Sequence, residues 1–128
     1  MNDPVWLSRD IVLAIHGEQL AAHGGLPGLR DASMLDSAPD RPRNKWAHEQ
    51  GDLSALAAAY GYGLARTHPF ADGNKRTALL ALYTFLGLND VDFAVPEAEF
   101  ATVILALAAG ELDEDSLADW IRESLART

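Results

Sequence analysis

Two helical patterns on either side of a short polar stretch constrain the fold of this chain more than any other feature. From Leu53 to Leu64, apolar residues recur at the spacing of one face of an amphipathic helix. From Thr77 to Leu86 the chain is apolar on nearly all sides, which is typical of a helix buried at the centre of a bundle. Strand-like alternation of apolar and polar residues is almost absent. The sequence therefore predicts an all-α fold, a compact bundle of about six helices.

Capping residues and helix breakers predict where the helices begin and end. Side chains that cap or open a helix precede most of the apolar patterns, and glycine or proline follows them. The predicted starting points are Ser8, Asp31, Asp52, Pro96 and Asp113, and the predicted ends are Gly24, Pro39, Gly87 and Gly110. Residues 91–95 are predicted to be briefly extended. The acids at 113–115 are interpreted as dipole-stabilising caps rather than as a metal site.

The stretch from Pro39 to Asp52 is predicted to be a long polar loop. It carries the basic residues Arg41, Arg43 and Lys45. Two interpretations stay open for this basic run. It is either a solvated face or a flap over a ligand or target of the protein. The second interpretation is considered because loops of this length tend to be functional or mobile.

The bulk composition predicts one domain over residues 1–128. A chain of 128 residues with 48% hydrophobic content can bury roughly two-thirds of its unfolded surface. It has no cysteine, which suits a reducing compartment, and its N-terminus lacks the pattern of a signal peptide. The most apolar run is much shorter than the ~20 residues of a membrane span. We therefore expect a cytoplasmic protein without a membrane partner.

The charge distribution favours a small anionic ligand over nucleic acid. The net charge of -9 argues against direct binding of a phosphate backbone by the whole domain. Eight of the ten cations precede residue 77, whereas two cations oppose ten acids after it. A small polyanion such as a nucleotide fits a locally basic region better than DNA does.

The polar stretch between the two helical patterns, residues 68–76, combines the groups that a nucleoside triphosphate requires. Pro69 should end the preceding helix at His68, whose neutral imidazole can accept a proton near neutral pH. Asp72 is a hard oxygen ligand of the kind that Mg²⁺ uses together with phosphates. Gly73 allows close approach of the backbone to a ligand. Two cations follow in the first turn of the next helix, where the helix dipole disfavours them unless an anion lies between them.

Each of these residues also has an ordinary structural explanation. Phe70 can be a core anchor, Asp72 an N-cap, and Lys75 and Arg76 solvated surface charges. Because all of them fall in one short loop, the functional interpretation is favoured. Arg66, just before the loop, either reaches a phosphate or pairs with a nearby acid.

The run His-Pro-Phe-Ala-Asp-Gly-Asn-Lys-Arg at 68–76 resembles the signature of the Fic/Doc superfamily. Lys75 stands where the adenylyl-transferring Fic branch has a glycine, so the chain resembles the Doc (death-on-curing) toxin branch. The likeness extends more loosely over residues 11–16 and 24–31 and ends near Leu88.

The resemblance implies a role for each residue of the signature. His68 would be the general base, Asp72 the Mg²⁺ ligand, and Asn74, Lys75 and Arg76 would hold the phosphates of ATP. Independently of the resemblance, their positions in the chain predict Gly73 and Arg66 as further phosphate contacts and Phe70 as the anchor of the loop. The Doc branch is understood to transfer the γ-phosphoryl group, so a protein kinase is expected rather than an adenylyl transferase.

The resemblance also implies partners. The acceptor would be a threonine of translation elongation factor Tu, and the protein would be the toxin of a type II toxin-antitoxin system with a Phd-like antitoxin. Two alternatives stay open: an adenylyl transferase of the Fic type that tolerates lysine at position 75, and a non-catalytic helical module that binds an antitoxin or repressor.

Overall fold

The computed structural model describes residues 3–49 and 51–127, and these residues form seven helices. The helices are α1 (Arg9–His23), α2 (Ala32–Ser37), α3 (Asp40–Glu49), α4 (Leu53–Thr67), α5 (Asn74–Leu88), α6 (Glu97–Ala108) and α7 (Glu114–Ala126). Within the described ranges no strand forms, and an isolated antiparallel bridge joins Leu29 to Phe70. The predicted all-α class is therefore confirmed.

Side-chain caps set most of the helix starts that the sequence predicted. The side chains of Ser8, Asp31, Asp52 and Asp113 each accept a hydrogen bond from a backbone N–H in the first turn of their helix. Each cap satisfies a donor that has no partner within the helix. Pro96 lies one residue before the first residue of α6 and serves as its N-cap position.

The helix α4 is the most buried of the bundle, and its main packing partner is α5, which contains the buried helix expected from Thr77 to Leu86. Eleven of the 15 residues of α4 are buried, and the helix packs against α3, α5, α6 and α7. The prediction of a single buried stripe was wrong because most of the buried residues are alanine, glycine or serine. These small side chains add little to a hydrophobic pattern, yet they let neighbouring helices approach from every side. A Cβ at Gly61 would meet Leu82 Cδ1 of α5 at 3.1 Å.

The predicted loop from Pro39 to Asp52 was also wrong, because Asp40–Glu49 is the helix α3. Contacts with distant residues stabilise it. Glu114 of α7 accepts from Arg41 Nε at 2.5 Å, and its other carboxylate oxygen lies 2.7 Å from Lys45 Nζ. Arg43 lies over the ring of Trp6, with its guanidinium carbon 5.2 Å from the ring centroid. All three cations of the basic run therefore have structural partners.

One further boundary differs from the sequence prediction, because Gly87 lies inside α5, which continues to Leu88 and is capped by Asn89. Residues 91–95 belong to no helix or strand, and their extended backbone stays a prediction. Asn89 ties the end of α5 to the N-terminal segment, because its side chain accepts from Val5 N and donates to Val5 O. Among the described residues no helix combines the length and apolar character needed to cross a bilayer.

Candidate active site

His68 ends α4 in a left-handed backbone conformation, with φ 49° and ψ 60°. The predicted helix end at this residue is confirmed. A left-handed conformation is sterically unfavourable for a residue with a Cβ, by roughly 1–2 kcal/mol. The half-buried imidazole of His68 lines a cavity. Backbone strain at a residue that faces a cavity is characteristic of functional sites.

The segment from Gly28 to Asp31 holds the backbone that follows His68. Pro69 O accepts from the N–H groups of Arg30 at 2.8 Å and Asp31 at 3.0 Å, and Ala71 N donates to Gly28 O at 3.0 Å. The side chain of Arg30 also binds the end of α4: its Nε donates to His68 O and its Nη2 to Thr67 O. In the sequence, Arg30 falls within the looser likeness to the Fic/Doc superfamily, which predicts no role for it.

The exposed carboxylate of Asp72 is oriented by two backbone N–H groups. Its Oδ1 accepts from Gly73 N at 2.8 Å and its Oδ2 from Leu26 N at 3.3 Å. Within residues 3–49 and 51–127, no group of three or more His, Asp or Glu side chains could enclose a metal ion. A divalent ion at Asp72 would therefore need most of its ligands from phosphate oxygens and water. This donor set fits Mg²⁺ that arrives with a nucleotide.

His16 of α1 contacts two residues of the loop. Its buried ring stacks on Phe70, with ring centroids 3.7 Å apart, and its Nε2 lies 2.8 Å from Asp72 O. Because a carbonyl oxygen can only accept, Nε2 carries a hydrogen in this contact. Phe70 is itself 1% exposed, as expected of an anchor.

Asn74 closes the loop at its other end. Its Oδ1 accepts from Phe70 N and its Nδ2 donates to Phe70 O, both at 2.9 Å. Both polar atoms of the amide are thus engaged within the loop. A phosphate contact from this side chain stays a prediction, and the second N–H of Nδ2 could make it without breaking either bond.

The loop opens into a cavity of about 500 Å³ with one polar and one apolar wall. The polar wall consists of His68, Asp72, Gly73, Asn74, Lys75 and Arg76, and the apolar wall includes Leu79, Ala101, Ile104 and Leu105. Lys75 and Arg76 are exposed, and among the described residues neither forms an ion pair with a carboxylate. Two unpaired cations and a carboxylate therefore line a cavity whose other wall is apolar.

Arg66, predicted as a phosphate contact, does not line this cavity. Its guanidinium carbon lies 5.5 Å from the ring centroid of Tyr62. A role at the phosphates stays a prediction for Arg66 and would require the side chain to turn away from that ring.

A second cavity of about 600 Å³ meets the first at His68, Lys75 and Leu105. Its remaining lining residues lie in α6 or just after it, namely Thr102, Ala106, Ala108, Ala109 and Glu111. Leu105 is 54% exposed between the two cavities. His68 therefore lines both cavities.

A third cavity of about 570 Å³ is lined by residues of α2, α3, α4 and α7, and the signature residues 68–76 do not line it. Both cations that line it, Arg41 and Lys45, are paired with Glu114. The carboxylate of Glu114 beside the ammonium raises the pKa of Lys45. These ion pairs attach α3 to α7 and leave the two cations no free charge for a ligand.

Comparison with known proteins identifies the family. The model of the Fic/DOC family matches residues 6–86. The chain is 36% identical over 118 residues to the protein named "Protein kinase doc" of Escherichia phage P1, covering 91% of this chain and 92% of that protein. It is 40% identical over 119 residues to "Toxin Doc" of Mycolicibacterium smegmatis, covering 88% of each. With its signature loop, its all-helical fold and these relatives, the chain belongs to the Fic/DOC family.

Proposed function

We propose that this protein is a Doc-like toxin and acts as a protein kinase. It transfers the γ-phosphoryl group of ATP to a threonine of a translation factor, elongation factor Tu by resemblance, and so blocks translation. The observation that carries the proposal is the cavity in which a histidine base, one carboxylate and two unpaired cations converge. The names of the two relatives, a protein kinase and a toxin, support the same function.

In the proposed reaction His68 accepts the proton of the acceptor hydroxyl as its oxygen attacks the γ-phosphorus of ATP. The bond between that phosphorus and the bridging oxygen of ADP breaks, and ADP leaves. Phosphoryl transfer depends mainly on positioning and charge neutralisation. The position of His68 between two cavities supports this role, because the base must contact the acceptor beside the nucleotide.

The charged side chains of the loop bind the phosphates in this proposal. Lys75 and Arg76 lie in the first turn of α5, where the free backbone N–H groups of the helix also favour an anion. Asp72 would hold Mg²⁺, which neutralises phosphate charge when it is bound. The apolar wall formed by Ala101 and Leu105 would lie against the nucleoside.

Lys75 supports γ-transfer over adenylyl transfer. In the adenylyl-transferring branch a glycine at this position leaves room for a backbone anion hole. Here the position carries a cationic side chain that lines the cavity. The residues that follow, Thr77 to Leu79, supply no second arginine. The nucleotide is then oriented with its γ-phosphate, rather than its α-phosphate, at His68.

A Phd-like antitoxin is the proposed regulatory partner. The support is the printed name of the mycobacterial relative, a toxin, together with the family membership of the chain. A partly disordered antitoxin would neutralise the enzyme by placing a helix in a groove of its surface.

The test is a pair of parallel incubations of the purified protein with Mg²⁺ and a bacterial lysate. One contains ATP labelled at the γ-phosphate and the other ATP labelled at the α-phosphate. Label from the γ position on a protein of elongation-factor size is expected, and His68→Ala and Asp72→Ala should abolish it. Label from the α position would instead indicate an adenylyl transferase. No label from either, with toxicity that survives both substitutions, would indicate a non-catalytic binding module.

A further inference from the structure

We infer that Arg30 is a positioning residue that holds the base His68 in its left-handed conformation. Three successive carbonyl groups at the end of α4 accept hydrogen bonds from residues 30 and 31. Thr67 O accepts from Arg30 Nη2 at 2.5 Å, and His68 O accepts from Arg30 Nε at 2.6 Å. Pro69 O accepts from both Arg30 N and Asp31 N.

These bonds are needed because the local sequence does not favour the observed backbone. His68 has a Cβ and φ 49°, so its conformation is sterically unfavourable unless the surroundings fix it. The next residue, Pro69, has no N–H with which to cap the carbonyl groups at the end of the helix. Arg30 supplies the missing donors from another part of the chain.

A guanidinium group suits this position better than other cations. Its planar N–H groups reach two neighbouring oxygens at once, whereas an ammonium group is a single point charge. Its charge also interacts favourably with the negative end of the α4 dipole.

The residues before and after Arg30 are both held in place by contacts. The preceding residue, Leu29, forms the antiparallel bridge with Phe70, and the following residue, Asp31, caps α2. The guanidinium is therefore presented to the end of α4 from a short segment with little freedom.

Arg30 does not line either cavity that meets His68. Its loss should therefore change the placement of the imidazole while leaving the groups that bind the nucleotide in place. The consequence for turnover depends on the proposed kinase function, whereas the consequence for the His68 backbone does not.

The experiment compares Arg30→Ala and Arg30→Lys with the wild type and with Arg9→Ala. Arg9 is a matched control, because it is also a surface arginine whose Nε donates to an oxygen at 2.5 Å, in this case Asp36 Oδ1. Two quantities are measured. The ¹³Cα and ¹³Cβ chemical shifts of His68 report the sign of its φ angle, and labelling of lysate protein from γ-labelled ATP reports transfer.

For Arg30→Ala we expect His68 shifts that no longer indicate a positive φ. The transfer rate at saturating ATP should fall by about 100-fold, the order associated with a misplacement of about 1 Å at a reacting group. The ATP concentration that gives half of that rate should change by less than about twofold, since nucleotide contacts are kept. Added guanidinium ion at millimolar concentration should restore part of the rate. Arg9→Ala should match the wild type in all of these measurements.

Arg30→Lys should give a smaller loss than Arg30→Ala, and it decides the question if Arg30→Ala does not fold. Wild-type His68 shifts and a wild-type rate in either folded Arg30 variant would overturn the inference. A wild-type protein that transfers no γ-label would overturn the proposed function instead, and the His68 shifts would still test the role of Arg30.

Discussion

The imidazole of His16 lies flat against the ring of Phe70, with ring centroids 3.7 Å apart and ring planes 6° apart. The same imidazole binds Asp72 O through Nε2. One side chain of α1 thus supports two residues of the loop that carries the proposed base and metal ligand. This contact links the first helix of the chain to a loop more than 50 residues later.

The two contacts of His16 can be separated by substitution. His16→Phe should keep the stack but lose the hydrogen bond, which costs about 1 kcal/mol in the free energy of unfolding. His16→Ala should lose both, with a cost of about 2–3 kcal/mol. Urea denaturation measures both values, and His23→Ala, an exposed change at the end of the same helix, should stay within about 0.5 kcal/mol. Equal losses in the Phe and Ala variants would mean that the stack contributes nothing.

A methyl group at Gly25 should disturb Asp72, the proposed metal ligand. A Cβ at Gly25 would lie 2.8 Å from Asp72 Oδ2, whereas one at Gly24 would meet nothing within 4 Å. Both glycines have positive φ in regions that other residues rarely adopt, so alanine at either position should cost roughly 1–3 kcal/mol of stability. Gly25→Ala alone should raise the Mg²⁺ concentration required for half-maximal transfer of γ-label. A similar rise in Gly24→Ala would assign the effect to backbone strain rather than to the carboxylate.

Two adjacent exposed residues of α6 distinguish the cavities that meet His68. Ala101 lines the cavity beside Asp72, and Thr102 lines the other one. Ala101→Phe should weaken ATP binding by about tenfold, or about 1.4 kcal/mol, because the ring fills the space assigned to the nucleoside. Thr102→Phe should leave it unchanged. Isothermal titration with a non-hydrolysable ATP analogue measures both, and the reverse result would assign the nucleotide to the second cavity.

Tyr60 should make stability depend on alkaline pH. Its buried hydroxyl accepts from Leu7 N at 2.9 Å and donates to Leu7 O at 3.2 Å, and burial raises the pKa of Tyr60 to about 12. Since the unfolded pKa is about 10, the folded state holds its proton more tightly. The contribution is complete below about pH 10 and is lost as the pH rises towards 12.

Tyr60→Phe removes both the hydrogen bonds and this titration. At pH 7 the variant should be about 1–2 kcal/mol less stable, because Leu7 loses both partners. The difference from the wild type should shrink between about pH 10 and 12 in urea denaturation. A difference that stays constant across that range would contradict the assignment to Tyr60.

Features that depend on neighbours in sequence could be predicted. The four side-chain caps are an example, because an Asp or Ser bonds to an N–H two or three residues later. The end of α4 at His68 is another, since Pro69 acts on the residue before it. The signature residues themselves lie within nine positions of one another, so their chemistry could be recognised together.

Features that depend on distant residues were missed. The helix α3 has a polar sequence, and its cations find their partners in Glu114 and Trp6, far away in the chain. The supports of the signature loop come from His16, Leu26 and Arg30, and no spacing rule connects these residues with 68–76. The glycines before Arg30 can be seen in the sequence, but the sequence does not predict the bridge between Leu29 and Phe70 that follows them.

The central position of α4 has a consequence during synthesis on the ribosome. This helix and the signature loop leave the ribosome before α6 and α7, which cover two sides of α4, and α6 also contributes residues to the cavity beside Asp72. A nascent chain that ends near residue 90 would carry every signature residue without a closed cavity. The cavity should therefore form only after α6 has emerged, so the signature residues are synthesised well before the site that they line is complete.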